Sequence, residues 1–228
     1  YLGANGEVKT LALTSSTPSE GKSTIIYNIA RVLAELGHRV LLVDADMRKP
    51  TIHQFLKRPN MFGLSSAIAT DQSWRQLVYS TEFGHLDVLT SGPTPPNPVA
   101  LLESAKMTEL LNEWRQAYDY VLLDTPPILG VTDAQSLAPK ADATILVAAL
   151  ERSTRSSLTQ TMELLVRSRC KVAGLVVNLV EQEQDGYYSP YYSYYTKPGL
   201  NEKGGESEGD GNGSISGEYG ILGNLLRR

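Results

Sequence analysis

Ten residues between an apolar run and a helix-forming stretch restrict this chain more than any other feature. "SSTPSEGKST", Ser15 to Thr24, follows "VKTLALT" and leads into "IIYNIARVLAELG". A strand that turns directly into a helix brings loop amides and the helix N-terminus together on one anion. Gly21, Lys22 and Ser23 fall where the pattern G-x-x-x-x-G-K-[ST] needs them, while Ser16 stands at its first glycine. The stretch reads as a phosphate-binding loop. Ser19, Glu20, Gly21, Lys22, Ser23 and Thr24 are the candidate nucleotide contacts. Lys22 would reach the terminal phosphates, and the Ser23 hydroxyl would bind Mg2+.

The rest of residues 8 to about 180 repeats a buried strand, then a helix. Ile25, Ile29, Val32, Leu33 and Leu36 recur at helical spacing and stop at Gly37. "HRVLLVDAD", "LDVLTSG", "YDYVLLDTPP", "ATILVAAL" and "KVAGLVVNLV" read as strands, the longer apolar ones as buried. "NPVALLESAKMTELLNEWRQAY" and "STRSSLTQTMELLVRSR" read as amphipathic helices. The pattern predicts an α/β fold of the P-loop NTPase type, a mostly parallel sheet with helices on both faces. Ligands of such sheets sit at the carboxyl ends of the strands.

Acids follow those strands directly. "VLLVDADMRKP" presents Asp44 and Asp46, with Arg48 beyond, and "YVLLDTPP" presents Asp124. One aspartate after a strand is weak evidence, because aspartate also caps helices and starts turns. A phosphate loop followed by two such sites in this order predicts a Mg2+-nucleotide centre.

Bulk properties exclude more than they assign. The formal charge of −4 over 228 residues offers no basic surface for nucleic acid. Cys170 is the single cysteine, so no internal disulfide forms, and it reads as a small core residue at the mouth of a strand. No apolar run reaches the roughly 18–20 residues that cross a bilayer. His38, His53 and His85 lack metal-ligand spacing and read as surface or loop residues. The chain opens on "YLGANGEVKT" without Met, which reads as a fragment of a longer protein.

After Val180 the composition changes. Residues 181–228 hold ten Gly and eight Asp or Glu, and half of the chain's twelve tyrosines crowd into "YYSPYYSYYT". Such a segment buries too little surface to offset its ordering entropy. The expected division is therefore a folded domain over 1–180 and a flexible tail over 181–228. "YGILGNLLRR" at its end reads as a docking element or a frayed terminus.

Taken together these residues resemble the bacterial tyrosine kinases (BY-kinases) that accompany polysaccharide export. "LTSSTPSEGKST" resembles their Walker A segment, "VLLVDADMRKP" their Walker A′ segment and "YVLLDTPP" their Walker B segment. "LTSGPTPPNPVALLES" resembles a further stretch they carry. The tyrosine cluster matches the site these kinases phosphorylate on themselves. Septum-placing and plasmid-partitioning ATPases are relatives, but they carry a signature lysine where this chain has Thr17.

The resemblance implies an ATP- and Mg2+-dependent protein-tyrosine kinase that regulates exopolysaccharide or capsule synthesis and export. It gives Asp44 the task of orienting the acceptor phenol. It places Mg2+ on Ser23, Asp46 and Asp124, and it makes Lys22 the stabiliser of phosphoryl charge. Arg48 either contacts phosphate or ties its loop, and Asn178 either contacts adenine or ends a strand. Tyr187, Tyr188, Tyr191, Tyr192, Tyr194 and Tyr195 become the phosphoacceptors. The implied partners are neighbouring copies in a homo-oligomer, a transmembrane activator segment on the same or another chain, and a phosphotyrosine phosphatase. The implied location is the cytoplasmic face of the bacterial inner membrane. An E-x-x-R-x-x-R assembly helix is expected upstream of the point where this chain begins. Two other readings share the fold: a partitioning-type nucleotide switch, and an ATP-binding scaffold of the export machine with weak turnover.

Overall fold

A computed structural model describes residues 8–150 and 152–180. The tyrosine cluster and the tail lie outside the described residues. Among the described residues the sheet has seven strands: β1 (Thr10–Ser15), β2 (Val40–Asp44), β3 (Tyr79–Ser80), β4 (Leu86–Leu89), β5 (Tyr120–Asp124), β6 (Ala143–Ala149) and β7 (Val172–Asn178). Their order is β3-β4-β2-β5-β1-β6-β7. Every pairing is parallel except that of β3, a two-residue edge strand antiparallel to β4.

Alternation along each central strand builds two cores. Leu41, Val43, Val121 and Leu123 face one side, where Met107, Leu110, Leu111 and Trp114 of α5 (Ala105–Ala117) cover them. Val40, Leu42 and Leu122 face the other, against Ile26, Ala30 and Ala34 of α1 (Lys22–Glu35). Trp114 is fully enclosed, and truncating such a residue to alanine costs about 3–5 kcal/mol. Four further helices complete the layers before the last crossover: α2 (Ile52–Phe55), α3 (Leu64–Ala69), α4 (Pro98–Glu103) and α6 (Asp133–Leu137). That crossover is α7 (Arg155–Arg167). A capping box starts it: Thr154 Oγ1 accepts from the Ser157 amide and Ser157 Oγ from the Thr154 amide, each at 3.1 Å.

Two expectations need correction. The stretch expected as one helix over 97–118 is two, because Ser104 is extended and its Oγ accepts from the Met107 amide at 3.1 Å, capping a new helix. The strand "VAGLVVN" is an edge strand rather than a buried one. Among the described residues its one neighbour is β6, and Leu175 and Val177 are about half exposed at 51% and 48%.

Candidate nucleotide and phosphoryl-transfer site

Register brings the chemistry to one sheet edge. Asp44 ends β2 and Asp124 ends β5, and the two are aligned partners across those strands. Leu13, two residues before the phosphate loop, is the partner of Asp124 on the other side. β6 and β7 end at the paired residues Ala149 and Asn178. Five strand ends therefore surround one loop.

The loop delivers α1 with its N-terminus open. Gly21 holds the N-cap position at φ +88°, and no side chain of the described residues caps the first amides. Those amides are free for an anion. Gly21 is required twice over: its backbone is left-handed, and an added Cβ would lie 2.1 Å from Asn178 Nδ2. Ser16 replaces the usual first glycine for a visible reason. Its buried Oγ accepts from Thr161 Oγ1 of α7 at 2.9 Å, which ties the loop to that helix.

Lys22 stands among acids. Its Nζ lies 3.3 Å from Asp46 Oδ2 and 3.6 Å from Asp124 Oδ1, and it donates to Ser23 Oγ at 3.2 Å. Burial alone would lower its pKa, but Asp124 and Asp46 outweigh that and hold the ammonium above its ordinary value. Asp124 is fully buried, and among the described residues neither carboxylate oxygen meets a donor at hydrogen-bond geometry, although Ser23 and Lys22 stand close enough to favour its charged form. The contact with Lys22 is an ion-pair distance, too long for a hydrogen bond. Burial raises the Asp124 carboxyl above the usual range, with Lys22 opposing.

Asp44 is placed differently. It is also fully buried, but Oδ1 accepts from the Asp46 amide at 3.2 Å and Oδ2 from Thr51 and Ile52 amides at 3.1 and 3.0 Å. It thus folds the 46–51 loop around itself. Burial and the neighbouring Asp124 hold its carboxyl well above the ordinary range. Asp46 faces the cavity and accepts from the Lys49 amide at 2.9 Å.

A cavity of about 520 Å³ opens over these groups. Ser19, Gly21, Lys22, Ser23, Thr24, Asp46 and Arg48 line it, together with Phe55, Pro127 and Val131. Glu20, Asp44, Asp124 and Asn178 do not line it. Glu20 turns its carboxylate to Thr17 and Ser153, and Asn178 Nδ2 donates to the Glu20 carbonyl at 3.0 Å. Arg48 Nε and a terminal nitrogen pair with both oxygens of buried Asp133, so the side chain ties its loop to α6. Sequence reasoning did not single out Asp133, Ser153 or Thr161. Each lies more than 80 residues from its partner, and no local spacing announces such a contact. His38 and His53 are half-buried, and His53 lies in α2 rather than in a loop; His85 is exposed.

The residues fit Mg2+. This ion is held by one or two carboxylates together with phosphates and water, not by an all-protein cage. Among the described residues, a buried carboxylate that accepts no hydrogen bond, a second carboxylate and the Ser23 hydroxyl are the donors present.

Comparison with known proteins agrees with this geometry. Residues 8–172 match the AAA domain family. Tyrosine-protein kinase YwqD of Bacillus subtilis (strain 168) is 40% identical over 200 residues, covering 86% of this chain and 84% of that protein. Tyrosine-protein kinase wzc of Salmonella typhimurium (strain LT2) is 35% identical over 185 residues, covering 81% of this chain but 26% of that larger protein. The crystal structure of the chimerical protein CapA2B2 superposes with a TM-score of 0.76 at 37% identity, over 78% of this chain and 79% of that one. By its sequence and its fold, this chain belongs to the bacterial tyrosine-protein kinase family.

Proposed function

We propose that this chain is an ATP-dependent protein-tyrosine kinase domain. It phosphorylates the cluster Tyr187, Tyr188, Tyr191, Tyr192, Tyr194 and Tyr195, and through it regulates capsule or exopolysaccharide synthesis and export. The observation that carries the reading is the meeting of Lys22, Ser23 and Asp46 at one cavity, with the buried Asp124 carboxylate behind them in ion-pair contact with Lys22, in a chain of this family.

ATP would supply the transferable phosphoryl group, and Ser23, Asp46 and Asp124 would hold a Mg2+ that supplies charge neutralisation. Phosphoryl transfer proceeds through a loose transition state, so positioning and electrostatics dominate. Lys22 and the first amides of α1 stabilise the charge that builds on phosphate oxygens. Asp44 is the group that orients the phenol and takes its proton late. Its raised pKa narrows the gap to a phenol near 10 and makes it a better acceptor than an ordinary carboxylate. An ionised carboxylate has about four acceptor sites. Backbone amides engage three, so one remains, and the 46–51 loop must shift to admit a phenol. Neighbouring copies, a membrane-spanning activator and an opposing phosphatase complete the scheme.

The test is intact mass of the dephosphorylated chain incubated with Mg-ATP, at several protein concentrations, beside Lys22→Met. Phosphate-sized steps mapping to Tyr187–Tyr195 and absent from the variant are expected. ATP binding without any mass change would favour the nucleotide-switch or scaffold reading instead.

A further inference from the structure

A carboxylate inside a phosphate loop is electrostatically awkward, because the loop has to receive a polyanion. Glu20 occupies that position and is fully buried. Its two oxygens point away from the cavity. Oε2 accepts from the Thr17 amide at 2.9 Å, and Oε1 accepts from Ser153 Oγ, in the turn after β6. Ser153 Oγ in turn accepts from the Ala149 amide at 2.8 Å. The same turn reaches the loop again: Arg152 donates to the Ser19 carbonyl at 3.1 Å. From β7, Asn178 donates to the Glu20 carbonyl, while its own carbonyl accepts from the Leu150 amide at 3.0 Å.

The loop needs such support. Ser19 is left-handed at φ +65° without being glycine, and Gly21, two residues on, is left-handed as well. A non-glycine residue in that region is strained by about 1–2 kcal/mol and persists only where its surroundings over-determine it. The contacts that over-determine it here come from Arg152, Ser153 and Asn178, all more than 130 residues away in sequence.

We infer that the turn after β6 is a clamp that presets the phosphate loop, with Glu20 and Ser153 as positioning residues that never touch the nucleotide. The inference rests on the nucleotide-site reading above. Glu20 orders the loop before ligand arrives, so nucleotide binding does not have to supply the ordering free energy. Charge-assisted bonds make glutamate a stronger clamp than a neutral side chain, and pointing both oxygens at donors keeps its charge off the phosphates.

The test uses the full chain with Glu20→Ala, Glu20→Gln, Ser153→Ala and the double variant Glu20→Ala/Ser153→Ala. Calorimetry measures Mg-ADP affinity, steady-state assays measure KM and kcat, and amide hydrogen exchange follows Thr17 without nucleotide. Glu20→Ala and Ser153→Ala should each weaken Mg-ADP about tenfold, equivalent to about 1.4 kcal/mol. They should raise KM for ATP alike with kcat within about twofold, and speed exchange at Thr17. The double variant should be no worse than the poorer single one, because both break one clamp. Glu20→Gln keeps an acceptor for Thr17 and a donor for Ser153, so it should stay within about threefold of the wild type. Additive losses, unchanged affinity with slow exchange, or a fall in kcat at constant KM would overturn the clamp. A wild-type chain that fails to bind Mg-ADP would overturn the nucleotide reading instead, and Thr17 exchange without ligand would still judge the clamp.

Discussion

Arg48 and Asp133, 85 residues apart, form a two-pronged ion pair, with Nε to Oδ2 at 2.9 Å and a terminal nitrogen to Oδ1 at 3.0 Å. The pair is asymmetric in burial. Asp133 is fully enclosed, while the Arg48 side chain is 42% exposed. It joins the loop after β2 to the start of α6, and so fixes one wall of the cavity to the segment that follows Asp124.

That asymmetry makes the two deletions unequal. Removing Arg48 strands a buried carboxylate, whereas removing Asp133 leaves a guanidinium that can swing into water. Breaking a fully buried pair costs about 3–5 kcal/mol. Solvent at Arg48 discounts this to about 1–3 kcal/mol for Arg48→Met. Asp133→Asn should cost less, about 1 kcal/mol. Urea denaturation of the two variants checks the order, and equal losses would mean that solvent already screens the pair.

Asp124 is held against its own stability. Its folded carboxyl binds a proton more readily than the unfolded one, because burial raises its pKa. The folded state therefore carries the extra proton between the ordinary and the raised value, and stability falls as pH rises through that window. At neutral pH the whole penalty is present. Asp124→Asn removes the buried charge and should raise the nucleotide-free chain by about 1 kcal/mol, because the asparagine stays buried and Lys22 keeps only Asp46 as its counter-ion. For a chain of this size that is roughly 2–4 °C in Tm. The same change should abolish Mg-nucleotide binding. Calorimetric Tm from pH 4.5 to 7.5 checks both parts, and the variant's pH slope should be flatter.

Lys22 and Asp44 separate charge stabilisation from acceptor orientation. Lys22→Met should abolish transfer and leave a folded chain, less stable by about 2–3 kcal/mol because Asp46 and Asp124 lose their cation. Adding Asp124→Asn should recover part of that loss, which denaturation of the double variant reads directly. Asp44→Asn should cut transfer by about 10²-fold or more, with nucleotide affinity within about fivefold. Equal loss of both would place Asp44 on the metal.

Much of this was legible in the sequence, for reasons that are local. The alternating apolar runs determine the central strands β1, β2, β5 and β6, and the loop from Ser15 to Thr24 is recognisable because every part of it is contiguous. What escaped depends on distant partners. Ser104 breaks a helix that propensity would carry through, because a serine hydroxyl can cap as well as continue. The exposure of β7 follows from its place at the sheet edge, not from its apolar composition. The two readings of Arg48 differ only by Asp133, a residue that nothing in "DMRKP" points to.

Cys170 packs where α7 gives way to β7, against the buried cluster of Ile128, Ala134 and Leu165. Its amide donates to the Leu165 carbonyl at 2.9 Å, and the preceding Arg169 is left-handed at φ +59°, which turns the chain inward there. Burial pushes the thiol up to about 11, whereas a free thiol ionises near 8.5. Only the thiolate attacks an alkylating reagent. At pH 7.5 the folded chain should therefore react on the order of 100-fold more slowly than the same chain in denaturant, by the difference in ionised fraction alone. Its rate should climb about tenfold per pH unit from 7 to 10 without levelling off. Iodoacetamide labelling followed by intact mass measures this, and a plateau near pH 9 in the folded chain would show that the thiol stands open to water and that the α7–β7 junction is not packed as described.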